Sequence, residues 1–158
     1  EQNDEARCVG WKEADEGADV VIGTRDPKDA KGAKQAVPQP WLKRQLGNVG
    51  NILIQIFAVW GIWDTQCGFK AFSAVATGTI FSKTKIDKWG FDIEVLALAR
   101  KLKYKISIIP TYWVNDPDSK VSLKGYLRTF KELFQIWWWL IRDEYGIKNP
   151  KSETLNSK

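Results

Sequence analysis

The run Asp64-Thr65-Gln66-Cys67-Gly68-Phe69-Lys70-Ala71-Phe72 holds an acid, a hydroxyl, an amide, a thiol and an ammonium within seven positions, hinged at Gly68. It follows an apolar run from Asn51 to Trp63, so a buried element surfaces there and can present side chains to a ligand. Two further stretches could complete a site: Trp89-Gly90-Phe91-Asp92-Ile93-Glu94 and Asp118-Ser119-Lys120. The chain has no histidine, which excludes Ser-His-Asp triads, Cys-His dyads and His-ligated zinc. Acid–base work falls to Asp, Glu, Lys or Tyr. Taken singly, each residue has an ordinary role: Asp64 as a turn acid, Lys70 as a solvated lysine, Asp92 as a helix N-cap, Glu94 as a partner of the helix dipole. Taken together, carboxylates beside bulky apolar residues and isolated bases at element ends (Arg25, Arg44, Lys70, Lys120) suit a different task. They could bind an anionic group next to a carbon that becomes cationic.

The elements that must position these residues follow from periodicity. Residues 1–17 are rich in acids and show no clear period, and read as a loop, a frayed helix or a cut end. Asp19-Val20-Val21-Ile22-Gly23-Thr24-Arg25 is a β-branched run ended by glycine, a buried strand that delivers Arg25 into a loop. Asp26 to Pro40 lacks an apolar period and reads as a mobile basic loop, long enough to be a functional lid. Trp41 to Trp63 reads mainly helical, with apolar residues at 42, 46, 49, 53, 56, 57 and 60. Its Gly47-Asn48-Val49-Gly50-Asn51 looks like a phosphate loop but lacks the preceding strand and the following Lys-Ser/Thr. Ala74–Phe81 is a helix or turn, Phe91 to Tyr104 a helix, and Ile106 to Val114 a strand that Pro110 places at an edge or bulge. The last element, Tyr126 to Arg142, has a broad apolar face that includes Trp137 and Trp138, and the run Trp137-Trp138-Trp139 covers nearly half a helical turn with indole. It reads either as a core helix or as an interfacial one, since indole favours the headgroup zone and bases flank it. The order strand, loop, helix, helix, strand, helix indicates an α/β fold.

Composition sets further bounds. The 158 residues are enough for one domain with a core. Cys8 and Cys67 are too few and too far apart for a disulfide framework or a CxxC metal site, which suggests a reducing compartment. No stretch resembles a secretory signal peptide, and no apolar run approaches the ~18–20 residues of a spanning helix. The chain starts at Glu1 and has no Met, as expected of a processed chain or a fragment. Residues 1–20 carry seven acids and two bases, so the remainder carries +10 of the overall +5. A basic body implies an anionic partner: phosphate, nucleic acid or an anionic membrane. Nucleic acid ranks low, because the Trp residues cluster on one apolar helix and do not alternate with bases on a sheet.

Four blocks in order resemble the family-2 glycosyltransferases that act on polyprenyl phosphates, in particular the dolichyl-phosphate β-glucosyltransferase-like enzymes. They are Val20-Val21-Ile22-Gly23-Thr24-Arg25, Asp64 to Phe72, Trp89 to Glu94, and Trp113 followed by Ser119-Lys120. The resemblance runs from about Gly17 to Arg142. It implies a GT-A fold, a nucleotide-sugar donor such as UDP-glucose, a divalent metal (Mg or Mn), a polyprenyl phosphate acceptor and a membrane-associated location on the cytoplasmic face. Arg25 and Arg44 would hold the acceptor phosphate, with Lys70 and Lys120 as further phosphate contacts. Asp64, Asp92 or Glu94 would serve catalysis, and Gln66, Gly68, Trp89 and Ser119 would contact substrate. The hydroxyl residue that many relatives carry near Gly47 or Asn48 is absent.

Relatives also carry a nucleotide-binding strand and an Asp-x-Asp metal motif before the position of Gly17, and residues 1–16 have neither. The chain is therefore expected to be a partial GT-A fold, a mixed sheet flanked by helices, without the nucleotide-binding half and inactive alone. The expected divisions are an irregular or truncated end (1–16), the acceptor-side half of the catalytic domain (17–125), a membrane-interface helix (126–146) and a polar tail (147–158). The rival expectation is a non-catalytic, Trp-rich module for anionic membrane surfaces.

Overall fold

The computed structural model describes residues 2–35, 41–113 and 123–147, with side chains for 8–33, 45–112 and 125–147. Strand β1 (Val20–Thr24) is buried along its whole length because both faces are covered. It is the centre of a three-stranded mixed sheet. Strand β3 (Lys70–Phe72) pairs with it antiparallel, Val20 opposite Phe72. Strand β4 (Ile106–Pro110) pairs with it parallel, Val20 opposite Ile106 and Thr24 opposite Pro110. The edge position of β4 explains how Pro110 is tolerated. The strand expected to run on to Val114 breaks at Thr111, whose N–H and hydroxyl both donate to the Thr24 carbonyl. Beyond the break, β5 (Tyr112–Trp113) pairs parallel with β2 (Lys34–Gln35), so the loop after Arg25 contains a strand of its own.

One face of the sheet carries α1 (Gln2–Asp15), the other the main core. The acid-rich start is thus a helix, one of the three readings its sequence allowed; Ala14 packs beside Ala18, Val21 and Ile109. Its weak amphipathic pattern left the choice open, since this helix meets the sheet face through only a narrow apolar contact. The main core gathers Val20 and Ile22 with Ile54, Ile62, Ile80, Leu96, Leu98, Leu133 and Ile136. It lies under α2 (Trp41–Phe57), α3 (Ala74–Phe81), α4 (Phe91–Lys101) and α5 (Leu123–Arg142). Helix α2 stops six residues short of Trp63. Buried Gln55 there bonds the Ile62 carbonyl and accepts the Gly61 N–H at 2.6 Å, and Gly61 turns at φ +79°. A glutamine on an apolar face gives no such signal in sequence.

Two buried acids tie the helices together. Glu94, fully buried on α4, accepts the N–H groups of Lys85 and Ile86 and the hydroxyl of Tyr145. Glu132, on the inner face of α5, accepts the Gly90 N–H at 2.7 Å and pairs with Arg128. A Cβ at Gly90 would lie 2.8 Å from the Glu132 Cβ, so this turn closes on α5 only with glycine. Gly90→Ala is expected to cost about 1–3 kcal/mol, read as a lowered urea midpoint. An unchanged midpoint would show that α5 yields without cost.

Candidate active site

The site is built at the end of β1. There Arg25 leaves the sheet and meets the segment that follows the Gln55-capped turn. Asp64 accepts three hydrogen bonds from this one residue: from its backbone N–H at 2.8 Å, its Nε at 2.7 Å and its Nη2 at 2.7 Å. The bidentate fork holds both carboxylate oxygens, and these bonds, against burial, keep the guanidinium above its ordinary pKa. Asp29 fixes the pair from behind. Its carboxylate accepts the N–H groups of Trp63 and Asp64, each at 2.8 Å, and the Thr24 hydroxyl at 2.9 Å. The described part of the supposed mobile loop is thus pinned at its first turn. Sequence reading missed Asp29, since either acid of a Lys-rich loop looks like a solvated one.

Arg25 and Asp64 line a cavity of about 590 Å³ between α2 and α5. Leu46, Gly47, Asn48, Gly50, Asn51 and Ile54 form its α2 wall, and Tyr126, Thr129, Phe130 and Leu133 its α5 wall. Gln66 and Trp63 close it near the ion pair. The glycine-rich stretch of α2 is therefore a cavity wall within a helix, without the geometry of a phosphate loop.

The other expected site residues are sorted by the fold. Gln66 reaches the Trp89 carbonyl at 3.2 Å, joining two of the predicted stretches, and Trp89 is exposed. Gly68 is exposed, with nothing near a Cβ added there. Lys70 is not a free cation for phosphate: it is largely buried, bonded to the Cys67 carbonyl and paired with Asp92 at 2.8 Å. Asp92 is not the N-cap of α4 either; that position belongs to Gly90, and the charge of Asp92 is paired with Lys70 of β3. Glu94 is removed from the candidate catalytic set, because it is sealed in the core with its oxygens taken. Thr65 buries a hydroxyl without a hydrogen-bond partner among the described residues. Ser119, Lys120 and the side chain of Arg44 lie outside the described residues.

No family model matches the chain. Over 117 residues it is 35% identical to Dolichyl-phosphate beta-glucosyltransferase ALG5C of Trichomonas vaginalis, a match covering 74% of this chain and 34% of that protein. The dolichyl-phosphate beta-glucosyltransferase of Homo sapiens is 35% identical over 105 residues, 65% of this chain and 32% of its own. That of Saccharomyces cerevisiae is 41% identical over 71 residues, 45% of this chain and 21% of its own. The matched segment is homologous to the dolichyl-phosphate beta-glucosyltransferases.

The chain spans about a third of the length of the dolichyl-phosphate beta-glucosyltransferases it matches at greatest length. The chain itself is an α/β unit with a small mixed sheet, flanked by helices, and a cavity beside Arg25 and Asp64. Among the described residues no three of His, Cys, Asp and Glu come together as metal ligands.

The membrane-facing expectation is redistributed as well. On α5, Leu127, Phe134, Trp138 and Ile141 are exposed, whereas Trp137 is half-buried against Phe57 and Trp139 packs on the core beside Tyr145. Arg142 lies over the Trp138 ring at 4.4 Å. Helix α2 packs on α5 and adds Val49, Ile52 and Ile56 to the exposed apolar residues, with Trp60 just beyond its end. Among the described residues no helix is long and apolar enough to cross a membrane.

Proposed function

We propose that the chain is the acceptor-side part of a family-2 glycosyltransferase with a partial GT-A fold. In this reading it takes part in transferring glucose from a nucleotide sugar such as UDP-glucose to dolichyl phosphate, with inversion. The observation that carries it is the α2–α5 cavity: a charged floor of Arg25 and Asp64 under two helices that expose apolar residues. An amphiphile with an anionic head needs that combination, an arginine fork for its phosphate and a greasy surround for its chain. The homology to dolichyl-phosphate beta-glucosyltransferases supports the same ligand.

The chemistry suits a chain without histidine. A phosphate monoester has a second pKa of about 6 and is mostly dianionic at neutral pH, so its oxygen is a nucleophile without a base. Direct attack on the anomeric carbon, with the nucleoside diphosphate leaving from the opposite side, inverts configuration. The residues here have two tasks: holding the nucleophilic phosphate in line through Arg25, and offering the Asp64 carboxylate to positive charge developing on the sugar. The nucleotide and its divalent ion (Mg or Mn) belong, in this reading, to a segment absent from this chain, and the chain alone is inactive.

The test is glucolipid formation from UDP-glucose and dolichyl phosphate by a longer protein that joins this chain to a nucleotide-binding half bearing Asp-x-Asp. Transfer is expected with the two parts together. Vesicle binding without any transfer would favour the second reading, a basic membrane-surface module, for which the exposed apolar residues of α2 and α5 also speak.

Association with the cytoplasmic face of a membrane is part of the proposal. Replacing exposed Trp138 by Glu forfeits an apolar contact and adds repulsion from anionic lipid. It is expected to weaken co-sedimentation with phosphatidylserine vesicles by about tenfold. Unchanged co-sedimentation would move the membrane contact away from α5.

A further inference from the structure

We propose that Asp64 is an internal anion that occupies Arg25 until the phosphate monoester of a ligand displaces it, so that ligand binding and release of the Asp64 carboxylate are a single exchange. The proposal rests on the reading that the α2–α5 cavity takes a phosphate. It adds the step by which that phosphate gains its arginine.

The geometry argues for exchange. The Nε–Nη2 edge of Arg25 is the face that recognises phosphate bidentately, and both nitrogens donate to Asp64 at 2.7 Å. A phosphate arriving on that edge competes directly with the carboxylate, and two anions on one guanidinium repel each other. The backbone need not move for the exchange. Asp29 holds the N–H groups of Trp63 and Asp64, so the exchange is a rotation of the Asp64 side chain, which also gives up the Arg25 backbone N–H to water or to the ligand. Both partners line the cavity, so the freed carboxylate stays at its wall, beside the new ligand. Asp64 thereby keeps the guanidinium neutralised while the cavity is empty and becomes available to a sugar only once the phosphate is seated. The other acid lining the cavity, Asp26, has no part in the fork; one of its carboxylate oxygens accepts the Lys28 N–H.

The prediction has a sign opposite to that for an ordinary binding residue. Asp64→Asn removes the competing charge and is expected to tighten phosphate binding about tenfold, even though transfer by the longer protein falls. Titration calorimetry of the 158-residue chain with inorganic phosphate is one arm. Co-sedimentation with phosphatidylcholine vesicles, with and without polyprenyl phosphate, is the other. Tighter binding by D64N in the soluble arm places recognition in the phosphate group itself. Tighter binding in the vesicle arm alone places it in the lipid headgroup. Either outcome supports the exchange.

Wild-type binding that D64N leaves equal or weakens in both arms overturns the exchange and leaves the phosphate reading standing. Absence of binding by every variant in both arms removes the phosphate reading as well. The gain must also require Arg25. If R25Q/D64N binds tighter than R25Q by the same factor, Asp64 acts through long-range charge only, and the exchange is wrong. Should D64N melt below the assay temperature, Asp64→Ser is read in the same way.

Discussion

Arg25→Ala, made in the longer protein that carries this segment, is expected to lower glucosyl transfer by about 10²–10³-fold, the scale for losing a preorganised charged donor. Two losses combine in that number. The acceptor phosphate loses its bidentate fork, and Asp64, with a side chain only 10% exposed, keeps a charge without its partner. Arg25→Lys separates them. A lysine restores the charge opposite Asp64 but offers a point where the phosphate needs a planar fork, so it should recover folding more fully than transfer. Initial rates against dolichyl phosphate concentration, with melting temperatures of the same preparations, provide the check. Wild-type turnover in the alanine variant would take Arg25 out of the site.

Glu94→Ala is expected to cost about 3–5 kcal/mol, the largest stability effect of any single change considered, because it empties a buried carboxylate that three donors point at. The N–H groups of Lys85 and Ile86 and the Tyr145 hydroxyl lose their acceptor in a place water does not reach. The contact also fastens the end of α5 to the α3–α4 connection, together with Lys83 on the Tyr145 carbonyl and Lys85 on that of Glu144. Urea denaturation should show the loss, and a change of less than about 1 kcal/mol would mean the turn repacks around water. Tyr145 adds a pH signature. Burial and then the Glu94 hydrogen bond raise its pKa above the ordinary 10.0. The folded state therefore favours the protonated phenol. This contribution is fully present below pH 10, and it is lost progressively as the pH rises above that value.

These two residues show how unevenly the site could be read beforehand. Arg25 at the end of a β-branched run and Asp64 after an apolar run were both legible, because the end of a buried strand and the exit of a buried helix have characteristic patterns. Their mutual contact was not, since 39 residues separate them and only the close packing of β1 against the turn after α2 brings them together. Lys70, Asp92 and Glu94 were read as functional from the ensemble of acids and bases and from the family resemblance, each having an ordinary role when taken singly. Packing decided otherwise for Glu94, and it paired Lys70 with Asp92. Asp29, Gln55 and Glu132 had no signal at all. Each is a polar residue whose role depends on the backbone N–H or carbonyl groups that the fold places around it.

The same division holds for the apolar faces. An amphipathic last helix was legible from its period, but which residues face outward was not. The broad face that Tyr126 to Arg142 shows in sequence is split by the core, which takes Leu133, Ile136 and Leu140 and leaves Leu127, Phe134, Trp138 and Ile141 exposed. Periodicity reports that a side of a helix is apolar, and only the neighbouring elements decide how much of it is covered.

Sequence by itself determined the α/β class, the buried strand within Asp19 to Arg25, the glycine-hinged segment from Asp64 to Phe72 and the kinship to polyprenyl-phosphate glycosyltransferases. Each is a matter of local pattern or of motif order. Tertiary structure alone decided that Arg25 is already held by Asp64, that Asp29 anchors both and that the cavity above them lies between α2 and α5. Those facts depend on which distant groups come within hydrogen-bond reach, and that is set by how the helices pack on the sheet.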